Sequence, residues 1–187
     1  MNNIQKAIVP GIALGIGVLI FLSRLINAPL LAVAATEETD ADMQPGPSEQ
    51  CQYFNQYPEK IQPWCALIES AAANYAIDPL LIAAVMLMES GGQPEIMSSA
   101  GAVGLMQVMP RDGIAASFEC VNGPCFASRP TIAELKDPAF NVDYGVRMLA
   151  GLIEREGDVR EALKAYGPSN YGYTYADKIL AIRSRLG

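Results

Sequence analysis

The chain has 187 residues, enough for one domain of ordinary size with some length left for a terminal segment. A net charge of −7 provides no Lys/Arg surplus to displace counterions from phosphate, which argues against a nucleic-acid partner. Histidine is absent, which excludes Ser-His and Cys-His nucleophilic catalysis and the usual His-containing zinc sites. Acid–base chemistry must therefore rest on carboxylates or tyrosine.

The N-terminus carries Lys6, an apolar run over residues 7–22, a lone Arg24 and a second apolar stretch. Residues 7–26 would span a hydrocarbon core of about 30 Å with Arg24 snorkelling to the interface. Ala32-Val33-Ala34 has the small-x-small form accepted by signal peptidase, so residues 1–35 read equally as a cleaved signal or as a membrane anchor. Either reading exports the chain, to the periplasm or to the outer face of the cytoplasmic membrane. Residues 36–50, TEETDADMQPGPSEQ, are acidic, contain Pro and Gly and are nearly free of apolar side chains, the composition of a linker. The folded domain is expected over residues 51–187.

Within that domain the apolar spacing is helical almost throughout, and no stretch shows sustained strand alternation. The pattern predicts a helix over 64–75. Asp78-Pro79 supplies an N-cap followed by Pro at N1, opening a helix over 79–90 that Gly91-Gly92 ends. Its sequence, PLLIAAVMLMES, is apolar on every face until the last turn, which predicts a central, buried helix. Residues 102–109 read as a short helix stopped before Pro110. Thr131 and Glu134 form a capping box, and Asp137-Pro138 starts a longer helix to Glu156 closed by Gly157. Asp158 caps a helix to Tyr166, and after the turn-rich GPSNYGY a last helix covers 174–186. Four cysteines in an exported chain point to disulfides. Three connectivities are possible, and proximity favours Cys51 with Cys65 and Cys120 with Cys125, while a zinc site lacks any CxxC.

One residue stands out from this pattern. Glu89 ends the buried helix, yet Lys and Arg are absent over 61–110, so no sequence-local ion pair explains it. At the carbonyl end of a helix and beside Val85, Met86 and Met88, a carboxyl holds its proton more tightly. A protonated carboxyl in a cleft is a candidate general acid. Asp112 and Asp143 are the candidates for a second carboxylate. Neither has a distinctive setting, since Asp112 lies in a polar turn and Asp143 on a different helical face from Asn141.

Downstream of Glu89 come G-x-x-P, Ser98, GAVGLMQVMP, NV-x-x-G (Asn141, Val142, Gly145) and AY (Ala165, Tyr166). In this order and spacing the chain resembles the SLT-type lytic transglycosylase catalytic domain of the lysozyme-like superfamily, over roughly residues 64–180. The resemblance implies an all-α, lysozyme-like single domain with a deep cleft, needing no cofactor and no metal. It implies Glu89 as the single catalytic glutamate, acting as acid and then base. Ser98 and Gln107 would line the cleft, Met109 its floor, Asn141 a cleft-facing helix, and Tyr166 would reach the carboxyl or the sugar. The implied substrate is the MurNAc–GlcNAc linkage of peptidoglycan, left as a 1,6-anhydro end. The 2-acetamido group would assist, which removes the need for a second carboxylate. Two positions depart from the family pattern, Gly167 where Asn is usual and Met148 where many members have Tyr. A goose-type lysozyme, which hydrolyses the same bond, and a non-catalytic wall-binding or assembly component are the alternatives. Partners in a secretion, conjugation or phage apparatus, and the membrane through an uncleaved N-terminus, fit the same reading.

Overall fold

The computed structural model describes residues 51–187; the expected signal or anchor segment and the acidic linker lie outside them. Six α-helices carry the domain: α1 (Cys65–Tyr75), α2 (Pro79–Glu89), α3 (Ile132–Leu135), α4 (Pro138–Glu156), α5 (Val159–Tyr166) and α6 (Tyr173–Leu186). No helix among the described residues is long and apolar enough to cross a membrane.

The caps read from the sequence are in place. Asp78 accepts a hydrogen bond from Leu80 N at 3.0 Å, Asp137 from Phe140 N at 2.7 Å and Asp158 from Glu161 N at 3.0 Å. Thr131 and Glu134 make the reciprocal capping box, and Gly157 closes α4 in the left-handed conformation. Each satisfies amide or carbonyl groups that a helix end leaves without intrahelical partners.

α2 is the centre of the domain, with every side chain from Leu80 to Met86 buried. It packs against α1 and α6, and α4 packs against α1 and α5. α2 and α6 run antiparallel: Tyr175 near the start of α6 meets Glu89 at the end of α2, while Arg183 near the end of α6 pairs with Asp78 at the start of α2, at 2.6 Å. Ahead of α1, the segment from Cys51 is held by the Cys51–Cys65 disulfide. Glu69 adds to this hold, accepting from Gln52 N and Tyr53 N, each at 2.9 Å, and from Tyr57 OH at 3.3 Å.

Two expectations are corrected. Residues 102–109 are not a helix but a folded loop, with antiparallel bridges joining Met97 to Val103 and Val103 to Val108. Gly101, Gly104 and Gln107 all have positive φ, at 91°, 79° and 46°, a conformation that breaks any helix. The apolar residues that suggested a helix, Val103, Leu105, Met106 and Val108, are nevertheless buried, because the loop plugs into the core. The second difference is a small antiparallel hairpin, β1 (Glu119–Cys120) and β2 (Gly123–Pro124), where no strand was expected. The Cys120–Cys125 disulfide closes it, so both cysteine pairs follow sequence proximity.

Candidate active site

Glu89 is the last helical residue of α2, and the chain beyond it is fixed from two sides. Ser90 is buried, donates its hydroxyl to Met86 O at 3.1 Å and accepts from Gly92 N at 3.1 Å. Trp64 Nε1 donates to Gly92 O at 2.9 Å, which ties the turn to the start of α1. Gly92 is required there: its φ is +82°, and a Cβ would lie 3.0 Å from the Lys60 carbonyl carbon.

The Glu89 carboxyl is partly buried, and burial pushes its pKa up to about 7, opposed by a hydrogen bond from Tyr175. Tyr175 OH donates directly to Glu89 Oε1. Burial, with the Glu89 charge beside it, holds the Tyr175 phenol far above the ordinary tyrosine range, so it acts as a donor and not as an acid. The two carboxylates considered as partners are engaged elsewhere. Asp112 accepts from Ile132 N at 2.8 Å and anchors the start of α3, and Asp143 accepts from Tyr75 OH at 2.8 Å.

The expected substrate-contacting residues divide into two groups. Ser98, Gln107 and Met109 remain partly exposed along the loop that follows Glu89. Ser98 Oγ accepts from Ala102 N at 3.0 Å, closing a turn, and its own hydroxyl proton has no acceptor among the described residues. Gln107 Nε2 donates to Ile96 O at 3.2 Å and Gly104 O at 3.0 Å, which turns its amide into a brace and leaves Oε1 as an acceptor. Its left-handed backbone is a strained setting for a non-glycine residue, of the sort that concentrates at functional sites. A hollow of about 470 Å³ lined by Gln93, Pro94, Glu95 and Ile96 adjoins this brace.

Asn141 and Tyr166 direct their polar groups to the backbone of the loop. Asn141 is wholly buried; Nδ2 donates to Val103 O and Leu135 O, both at 2.9 Å, and Oδ1 accepts from Met106 N at 2.8 Å. Every amide hydrogen is used on backbone, so Asn141 supports the loop from beneath and has none left to offer a sugar. Tyr166 OH donates to Met106 O at 2.8 Å and not to Glu89, although the nearby Glu89 charge, after burial, raises its pKa. Gly145 makes this approach possible, since a Cβ there would stand 2.8 Å from Met106 Cγ and 3.3 Å from Tyr166 OH.

Tyr175 is the residue that sequence reasoning missed. The available signal was its place on α6, where Tyr175, Ala176 and Ile179 form the buried stripe. A tyrosine on the inward face of an amphipathic helix needs a partner for its hydroxyl. Gly167 stands tight against this ring: a Cβ would fall 2.6 Å from Tyr175 Cγ, so any side chain there displaces the ring that meets Glu89. A larger hollow of about 560 Å³, lined by Tyr75, Asp78, Leu81, Arg147 and neighbours, contains none of the residues around Glu89.

With this geometry in view, comparison with known proteins is specific. The model of the Transglycosylase SLT domain matches residues 66–178. The chain is 34% identical over 92 residues to an endo-type membrane-bound lytic murein transglycosylase A of Klebsiella pneumoniae, covering 49% of this chain and 44% of that protein. It is 35% identical over 95 residues to a membrane-bound lytic murein transglycosylase E of Buchnera aphidicola, covering 51% and 42%. A transglycosylase of Enterobacteria phage PRD1 is 38% identical over 103 residues, covering 55% and 34%. The matched segment is less than half of each of these relatives.

Proposed function

Because the chain belongs to the Transglycosylase SLT domain family, we propose that it is a peptidoglycan lytic transglycosylase in which Glu89 serves first as acid and then as base. The observation that carries this reading is the Glu89 carboxyl itself, partly buried, pushed to about 7 and touched by one neutral donor, Tyr175. A group poised there can give a proton near neutral pH and take one back.

In the proposed sequence Glu89 protonates the glycosidic oxygen between MurNAc and GlcNAc, and the C1–O bond breaks. The oxygen of the 2-acetamido group supports the developing positive charge at C1. The Glu89 carboxylate, stabilised by the Tyr175 hydroxyl, then takes the proton from the C6 hydroxyl of the same sugar. O6 attacks C1, closing the 1,6-anhydro ring and returning the proton to Glu89. No water is consumed and no second carboxylate is required, which suits a site where Asp112 and Asp143 are committed elsewhere.

Ser98, through its free hydroxyl proton, and Gln107, through Oε1, are the proposed polar contacts to the sugars, with Met109 as an apolar surface beside them. An exported setting at the envelope, with the 1–35 segment as signal or anchor, belongs to this proposal; the membrane-bound names of two relatives favour it. Mass spectrometry of muropeptides released from purified peptidoglycan, with Glu89→Gln as control, tests the reaction. Anhydro-muramyl ends that require Glu89 are expected. Reducing ends would reassign the chemistry to hydrolysis, and absence of any Glu89-dependent product would overturn the enzymatic reading.

A further inference from the structure

The segment that carries Glu89, Ser98 and Gln107 contains no Lys or Arg. A cation nevertheless reaches the neighbourhood of the site from the loop after the disulfide-closed hairpin. Arg129 is partly buried, and its backbone N–H bonds Phe126 O at 2.9 Å. Its Nη1 lies against Met148 Sδ on α4. Met148 is three residues beyond Gly145, hence on the same helical face, and Gly145 is the position packed against Met106 and the Tyr166 hydroxyl. Tyr166 accordingly feels opposite charges from two directions, Glu89 raising its pKa and Arg129 lowering it.

Arg129 has no anionic partner among the described residues. The ion pairs there use Arg155, Arg160, Lys164 and Arg183, and the side-chain hydrogen bond of Arg129 goes to a thioether, a weak acceptor. A partly desolvated guanidinium is costly to leave uncompensated, and its planar fork matches a carboxylate with two parallel hydrogen bonds. The chain as a whole has a net charge of −7, so a cation at this place is not the consequence of a general basic surplus. Met148 supports the guanidinium through sulfur contact at Nη1 and leaves its other donors available.

We propose that Arg129 is a substrate-binding residue that receives a carboxylate carried on the 3-O substituent of muramic acid, a distinction the neutral sugar backbone does not provide. The inference rests on the peptidoglycan reading above. In the intact wall that substituent is a lactyl amide continued by a short acidic peptide, so the carboxylate is the peptide's. In a strand stripped of peptide it is the lactyl carboxylate.

Binding is the readout, measured with Glu89→Gln protein so that strands are not consumed. Three probes are compared: soluble peptide-bearing glycan strands, the same strands with their carboxylates converted to neutral amides, and amidase-stripped strands. The peptide-bearing strands are expected to bind about tenfold or more tighter than the neutralised ones, the usual size of a charge-assisted contact. Adding Arg129→Gln should abolish that preference without weakening the neutralised strands, and Arg129→Lys should restore part of it. Preference retained on stripped strands assigns the contact to the lactyl carboxylate, and preference lost there assigns it to the peptide. The proposal is overturned by a preference that survives Arg129→Gln, by equal weakening of all probes, or by no preference in the parent protein. Carboxylate-selective binding without any Glu89-dependent product from the wild-type chain would instead overturn the transglycosylase reading and leave the Arg129 site in place.

Discussion

Glu89 and Tyr175 form a hydrogen-bonded pair whose balance, under the proposed reaction, would bear on both activity and stability. Burial raises the Glu89 pKa from an ordinary 4.5 to about 7, and the Tyr175 hydrogen bond pulls it back down. As the proposed general acid, Glu89 would be competent when protonated, so kcat/KM should fall as pH rises through about 7. Tyr175→Phe removes the one interaction that favours the carboxylate and should move that limb to higher pH while lowering the maximal rate. An unshifted profile would show that Tyr175 does not act on the reacting group. The same shift has a stability consequence. Between pH 4.5 and 7 the folded state keeps a proton that the unfolded chain has released, so folding weakens as pH rises across that window, by about 3 kcal/mol in total. Glu89→Gln lacks this penalty. Urea denaturation should find it as stable as the parent near pH 4 and up to about 3 kcal/mol more stable at pH 8, while inactive at both. Gly167→Asn should push the Tyr175 ring aside and copy the Tyr175→Phe profile; a wild-type profile would refute the steric account.

At the scale of elements, the loop over residues 101–110 depends on one side chain of α4. Asn141 holds three backbone groups of its surroundings, and Gly104 passes so close that a Cβ would lie 2.8 Å from Asn141 Cγ. Asn141→Ala should cost about 3 kcal/mol, because it leaves Met106 N–H and Leu135 C=O buried without partners and takes from Val103 C=O one of its two donors, the other being Val108 N. Asn141→Asp should be nearly as damaging, since a carboxylate cannot donate to the two carbonyls. Chemical denaturation measures both, and a loss below about 1 kcal/mol would mean that the loop is held by packing alone. The element boundaries were largely legible in the sequence because helix starts and stops are local: Asp78, Thr131 with Glu134, Asp137, Gly157 and Asp158 act on amides and carbonyls within one turn. The loop was misread because GAVGLMQVM has helical apolar spacing, and what overrides it is left-handed backbone at Gly101, Gly104 and Gln107 stabilised by a partner some 35 residues away.

Across the whole molecule, the two disulfides differ in consequence. Cys51–Cys65 ties the first described segment to α1 and to the core, with a sequence separation of 14. Replacing both by serine should lower global stability by about 3 kcal/mol, the loop-entropy expectation for a closure of that length. Cys120–Cys125 closes an exposed hairpin outside the main core cluster, with a separation of 5. Its removal should leave the global unfolding midpoint nearly unchanged and open residues 118–129 to proteolysis, because a surface loop can fray without unfolding the core. A large shift in the midpoint would show that the hairpin is coupled to the core through the Arg129–Met148 contact.

The sequence by itself determined the all-α architecture, the caps that bound its helices and the unusual position of Glu89, because each of these depends on neighbours within a few residues. The family resemblance was equally visible, carried by short motifs in order. The tertiary structure decided which tyrosine meets Glu89, placing Tyr175 there and turning Tyr166 to the Met106 carbonyl. It also decided that Asn141 is a support and that Arg129 reaches the neighbourhood of the site. These depend on α6 lying antiparallel to α2 and on a loop folded back onto α4, contacts between residues 35 to 86 positions apart that no local pattern encodes.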